Sequence, residues 1–245
     1  MVEPQKEHFK SMEIEIYFGS VEHEFKKKIK SFLMISDEAE NNFKSISAAK
    51  FSTNDYLEVE AALEFSRNIK SLDKNHQSSS SYFIHALRVA THIAGTMKEG
   101  DLDCVKTGLI HNVFEISGFD KSYLLSKNFS QFTVDAIDLT TIDRELQFND
   151  VYLENYYQKM LDFDERLVLI RCLDKLDNLL GMEVIADAEL KANWMRTLKK
   201  FIIPLAKSLS KKLGFFMESA YDLAVERGCN EELRKEYEAL LKVLP

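Results

Sequence analysis

Along most of the chain the apolar residues recur at three- and four-residue intervals, the spacing that gathers side chains on one face of an α-helix. Leu57, Val59, Ala62, Leu63 and Phe65 follow this pattern behind Asn54 and Asp55, whose short polar side chains suit a helix start, and predict a helix ending near residue 69. The same periodicity predicts helices over residues 82–97, 102–116, 132–139, 152–161 and 164–180. Residues 187–213 read as one long helix broken at Pro204, which lacks a backbone donor, and Gly214 and Gly228 mark off two closing helices. The first 50 residues are the least regular. A short run, Ile14-Glu15-Ile16-Tyr17-Phe18, fits a strand or an appended helix equally well, and a basic amphipathic stretch runs from Glu22 to Phe32. Residues 73–81 are polar and short, which predicts a loop within one domain instead of a linker between two.

Composition strengthens the helical reading, because 8 Gly and 3 Pro in 245 residues leave few places where a helix must stop. The expectation is an all-α, multi-helix bundle with a short β-like or irregular N-terminal extension. Residues 1–50 form that extension, 51–226 the helical domain, and 227–245 a C-terminal helix packed on the same domain. A formal charge of -8 argues against a nucleic-acid polymer as partner, since phosphate backbones are held by an excess of Lys and Arg. Local clusters such as Lys26-Lys27-Lys28 and Lys199-Lys200 still leave room for a small phosphorylated ligand. Cys104, Cys172 and Cys229 are odd in number and far apart, so they read as free thiols in a reducing compartment. Neither an apolar leader nor a bilayer-length apolar run is evident, and the expected location is cytoplasmic, without a membrane partner.

Three segments carry candidate chemistry: residues 82–90 with His85, residues 109–115 with His111, Asn112 and Glu115, and residues 173–178 with Asp174 and Asn178. If residues 102–116 form one helix, His111 and Glu115 lie one turn apart on one face, with Asn112 and Glu115 adjacent at i,i+3. Two imidazoles and a carboxylate from separate helices suit one divalent ion, manganese first, with iron and zinc as alternatives. The basic run from Trp194 to Lys212 reads as a solvated helix face, and Tyr152, Tyr156 and Tyr157 as helix-interface packing. Gly-rich phosphate loops, GxSxG elbows and HExxH helices do not occur.

Taken in order, Tyr82 to Ala90, His111 to Glu115, Lys159-Met160-Leu161, Leu173 to Asn178, Ile203-Pro204-Leu205-Ala206 and Leu213-Gly214 resemble the motifs of the RelA/SpoT alarmone-hydrolase family. The resemblance spans roughly residues 55–226. It implies an HD-type all-α hydrolase core in which His85, His111 and Asp174 are metal ligands and position 112 is the fourth. It also implies that Glu115 orients or deprotonates the attacking water and that Asn178 faces the nucleotide. Aligning back from His85 places His76 and Ser79 in the loop that grips phosphate in that family.

Departures from the family pattern bear on the same residues. Asn112 stands where the family has Asp, which keeps a carbonyl ligand but removes a charge worth up to about 4 kcal/mol, or roughly three decades in affinity. Ile116 replaces one of a pair of acids, and His76-Gln77-Ser78-Ser79-Ser80-Ser81 contains neither the arginine nor the glycine turn of the family's loop. The expected activity is therefore a metal-dependent phosphohydrolase acting on a phosphoester or pyrophosphate of a small metabolite, foremost a nucleotide. The alternative is a catalytically degenerate HD domain that serves as a nucleotide sensor or protein-binding module.

Overall fold

The computed structural model describes residues 14, 15, 17–33, 37–72 and 79–241. These form an all-α bundle. Its helices are α1 (Val21–Leu33), α2 (Asp37–Lys50), α3 (Thr53–Arg67), α4 (Ser79–Thr96), α5 (Leu102–Ile110), α6 (Val113–Ile116), α7 (Lys121–Ser126) and α8 (Gln131–Thr140). They continue as α9 (Asp150–Phe163), α10 (Glu165–Leu179), α11 (Ala188–Thr197), α12 (Ile203–Leu209), α13 (Lys211–Arg227) and α14 (Glu231–Leu241). A 3-10 turn, Met182–Val184, follows α10, and a π-type turn, Leu198–Ile202, joins α11 to α12. None of the helices among the described residues is long and apolar enough to cross a membrane.

Short polar side chains start many of these helices by accepting a bond from an otherwise orphaned amide in the first turn. Asp101, Asp120, Ser130, Asn149, Asp164, Asp187 and Ser210 all do so. In α3 the cap is Ser52, so Asn54 and Asp55 lie inside the first turn instead of before it.

At the centre runs α10, buried on nearly every side. It packs against α4, α5, α9, α12 and α13. Its apolar residues Leu167, Leu169, Leu173, Leu176 and Leu179 join one core with Val89, Ala90 and Ile93 of α4 and Leu109 of α5. The N-terminal helices belong to that core as well. Phe25 of α1 and Phe43 of α2 are fully buried in it, each contributing on the order of 2–3 kcal/mol, whereas exposed ion pairs such as Lys26–Glu22 contribute tenths. Ile14 pairs with Met97 in an isolated antiparallel bridge, and Glu15 N–H donates to Thr96 O at 2.8 Å. The alternating run thus contributes a single bridge beyond the end of α4, and no strand forms among the described residues.

Several boundaries differ from the periodicity. The helix expected over residues 102–116 is two helices, broken at His111 and Asn112, where Asn112 has φ -98° and ψ 6°. Pro204 does not end a helix: Ile202 and Ile203 before it keep helical dihedrals, and the π-type turn Leu198–Ile202 lies immediately ahead of it. The chain turns instead at Ser210, and Gly214 lies inside α13, because a Cβ there would come within 2.7 Å of Lys207 Cα on α12. Gly228 ends α13 with φ 64°, the left-handed conformation that glycine takes without a Cβ clash. Ser79, Ser80 and Ser81 form the start of α4 instead of loop.

Gly108 couples the fold to the site. A Cβ at 108 would lie 3.3 Å from Ala90 Cα on α4, with the Ile93 side chain closer still, so glycine sets how near α5 approaches α4. Gly108→Val should cost about 2–3 kcal/mol of folding stability through overpacking, read as a lower urea midpoint at unchanged m-value. An unchanged midpoint would show that the two helices do not depend on that contact.

Candidate metal centre

Three helices bring the candidate ligands together. His85 lies in α4, Asp174 lies in α10, and His111 closes the C-terminal end of α5. His85 Nε2 is 3.2 Å from His111 Nε2 and 3.3 Å from Asp174 Oδ1, and His111 Nε2 is 3.7 Å from the same oxygen. Atoms so spaced share a centre about 2 Å from each, the bond length that imidazole and carboxylate ligands take to zinc. This His85, His111 and Asp174 group can hold a metal ion.

The other nitrogen of each ring settles which way its lone pair faces. His111 Nδ1 is 2.8 Å from Gly108 O, which can only accept, so Nδ1 carries the proton. Gly108 O is one of the helix-end carbonyls of α5 without an intrahelical donor, and the neighbouring Leu109 O is satisfied by the Ser66 hydroxyl at 2.5 Å. His85 Nδ1 is 2.8 Å from Asp177 Oδ2, an acceptor again, so its proton also sits on Nδ1. Two Nε2 lone pairs and a carboxylate oxygen therefore converge. Asn178 Nδ2 donates to Asp174 Oδ1 at 3.1 Å, but neither imidazole lone pair gains a donor from that bond. Such a centre calls for a cation, either a bound metal or an extra proton on an imidazole.

Charge around the centre is unbalanced. Asp174 Oδ2 takes Arg171 Nη1 at 2.8 Å and Lys175 Nζ at 3.2 Å, while Asp177 takes Arg88 Nε at 2.6 Å and Lys28 Nζ. Four cationic side chains thus face two carboxylates. Burial opposes ionisation of Asp174, yet Lys175, Arg171 and the two histidines outweigh it and hold the carboxyl well below the usual range. Asp177 is likewise held down against burial by Arg88, Lys28 and His85. Burial pushes Lys175 down to about 8, with Arg171 adding to the effect, although the ammonium also lies 4.8 Å from the Trp194 ring centre. For His85, burial disfavours the charged ring, but the hydrogen bonds to Asp174 and Asp177 prevail and raise its pKa.

The remaining expected site residues fall in different places. Asn112 follows His111, makes no capping bond with its side chain, and lines a small cavity with Ser66, Tyr82, Phe83 and Val113. Glu115 lies past the break at 111–112, in α6, with its carboxylate 3.5 Å from Arg144 and its charge acting on Arg171 and Lys175, the two cations that hold Asp174. Asn178 faces Asp174 from one turn along α10. Ser79 begins α4, and His76 falls outside the described residues. Arg88, Asp177, Lys28, Arg171 and Lys175 are given no role by the sequence, although three of them had a signal. Arg88 is three residues from His85, and Arg171 and Asp177 are each three from Asp174, which places each beside its ligand on the same helix.

Among known proteins, no family model matches the chain and no curated protein matches it.

One turn beyond Arg88, His92 is buried with both ring nitrogens unpartnered, edge-on to Phe18 at 5.0 Å between ring centres. Burial, reinforced by Arg88, lowers its pKa to about 4. A histidine neutral in the folded state and protonatable when unfolded stabilises fully above pH ~6.5 and loses that contribution as pH falls toward 4. Metal-free protein should therefore lose roughly 3 kcal/mol across this window, measured by denaturation at stepped pH, and His92→Phe should flatten the loss. A pH-independent midpoint between 6.5 and 4 in the unsubstituted protein would contradict the burial of a neutral ring.

Proposed function

We propose that the chain is a divalent-metal-dependent phosphohydrolase of HD type, acting on a phosphoester or pyrophosphate of a small metabolite, foremost a nucleotide. One observation carries this reading: two imidazole lone pairs and a carboxylate oxygen converge on a common centre at coordination distance, with both rings held in the required tautomer by second hydrogen bonds. His85, His111 and Asp174 hold the ion, and Asn112, which lines the neighbouring cavity, is assigned weak assistance by the resemblance alone. When bound, manganese, iron or zinc supplies Lewis acidity toward a phosphoryl oxygen and a water whose pKa is lowered toward neutrality. Arg171 and Lys175 keep Asp174 ionised and add positive potential that an anionic phosphate offsets. Glu115 is the residue assigned to orienting water; its carboxylate meets Arg144 at 3.5 Å and acts electrostatically on Arg171 and Lys175 beside Asp174. Asn178, Ser79 and His76 are assigned to the substrate, as the RelA/SpoT resemblance implies.

A second reading draws on the excess of buried cations and the engagement of Glu115 with Arg144: a degenerate HD domain that binds an anionic ligand or a partner without hydrolysing anything. Metal content separates the two. Protein purified without chelator should carry near-stoichiometric Mn, Fe or Zn by elemental analysis, and His111→Ala should lose it. Asn112→Asp, which restores a full charge, should tighten the ion by up to roughly three decades. Metal bound by the first protein justifies a phosphoester and pyrophosphate screen. No metal in either the unsubstituted chain or Asn112→Asp rejects the hydrolase reading.

A further inference from the structure

Resting on the metal-site reading above, we infer that Asp177 is a positioning residue for His85 and that Lys28 of α1 completes its hydrogen-bonded cluster, so that the N-terminal helix is part of the metal centre. Asp177 has no exposed side-chain surface, and it touches three cationic or proton-donating groups from two other helices. Lys28 comes from α1, and His85 and Arg88 come from α4. Two cations already outweigh the charge of one carboxylate. The third contact, His85 Nδ1 at 2.8 Å from Oδ2, is directional: it fixes the proton on Nδ1, stops the ring from turning over, and leaves Nε2 aimed at His111 and Asp174.

Lys28 has the complementary constraint. Its ammonium is buried and sits on Asp177 Oδ2, the same oxygen that accepts from His85. Arg88 holds the other oxygen, Oδ1, at 2.6 Å. With both oxygens occupied, the carboxylate plane cannot rotate, and the acceptor presented to His85 stays in place. Phe25 on the same helix is fully buried in the core, which anchors Lys28 from the neighbouring turn. Asp177 therefore acts through His85, and α1 acts through Asp177.

The test measures zinc and manganese affinity by calorimetry on the full chain and on four variants, with a thermal melt of each to confirm folding. They are His111→Ala, Asp177→Asn, Lys28→Met, and the double variant Lys28→Met with Asp177→Leu. The Asn variant removes charge but keeps an acceptor for His85, whereas the double variant removes one charge of each sign and the acceptor with them. Positioning predicts an affinity order of unsubstituted chain, then Asp177→Asn, then the double variant, whose loss should be roughly 10- to 100-fold. Lys28→Met alone should lose affinity in the same direction but by less. In the zinc-loaded protein, the hydrogen-bonded His85 Nδ1 proton should be visible by NMR, should persist in Asp177→Asn, and should vanish in the double variant. If Asp177 merely contributes charge, the double variant will bind like the unsubstituted chain and Asp177→Asn will bind worst, which overturns the inference. Metal lost in His111→Ala but unchanged in the other three also overturns it while leaving the hydrolase reading intact. No metal on the unsubstituted chain overturns both.

Discussion

Two buried carboxylates on the central helix, Asp174 and Asp177, hold the site together. They lie three residues apart on α10, at 2% and 0% exposure, where an uncompensated charge would cost several kcal/mol. Most of what reaches them is a cation or an N–H: α1 contributes Lys28, α4 contributes His85 and Arg88, and α10 itself contributes Arg171 and Lys175, while α5 brings the Nε2 lone pair of His111. Such a network adds little net stability compared with well-packed apolar residues, because desolvation offsets most of the attraction. What it does provide is geometry, since removing one member strands the others. The apolar core supplies the stability, the charges set where His85 points, and the Gly108 carbonyl sets where His111 points.

That division explains how α4, α5 and α10 combine. Gly108 permits α5 to lie close on Ala90, and the end of α5 then falls where His111 can bond its own helix-end carbonyl and still face His85. A continuous helix through residue 116 would have carried the backbone past this point. The turn at His111 and Asn112 is thus part of the site's construction.

Much of this was legible in the sequence where period and polarity agreed. The all-α class and the extents of α8, α9 and α10 to within two residues followed from helical spacing, and the trio His85, His111 and Asp174 was what the resemblance to the RelA/SpoT motifs implied. Helix α2 was not legible, because Asn41, Asn42, Ser45 and Ser47 dilute a pattern in which Phe43 carries the burial. The break at His111 was hidden by an unbroken apolar repeat, with only the weak helix former Asn112 to mark it. Arg88, Arg171 and Asp177 showed the right spacing but gave no sign of depth. Lys28 was out of reach of any local rule, since its contact with Asp177 spans 149 positions and depends on how α1 folds back over α10.

The claim on which the rest turns is that the two imidazoles and Asp174 are arranged around a cation. Crystals soaked in manganese, with diffraction collected at a wavelength where manganese scatters anomalously, address it directly. A single strong anomalous peak about 2 Å from His85 Nε2, His111 Nε2 and Asp174 Oδ1 is the predicted result. A map without a peak there, with the imidazoles hydrogen-bonded to water or to Asp174 instead, would contradict it.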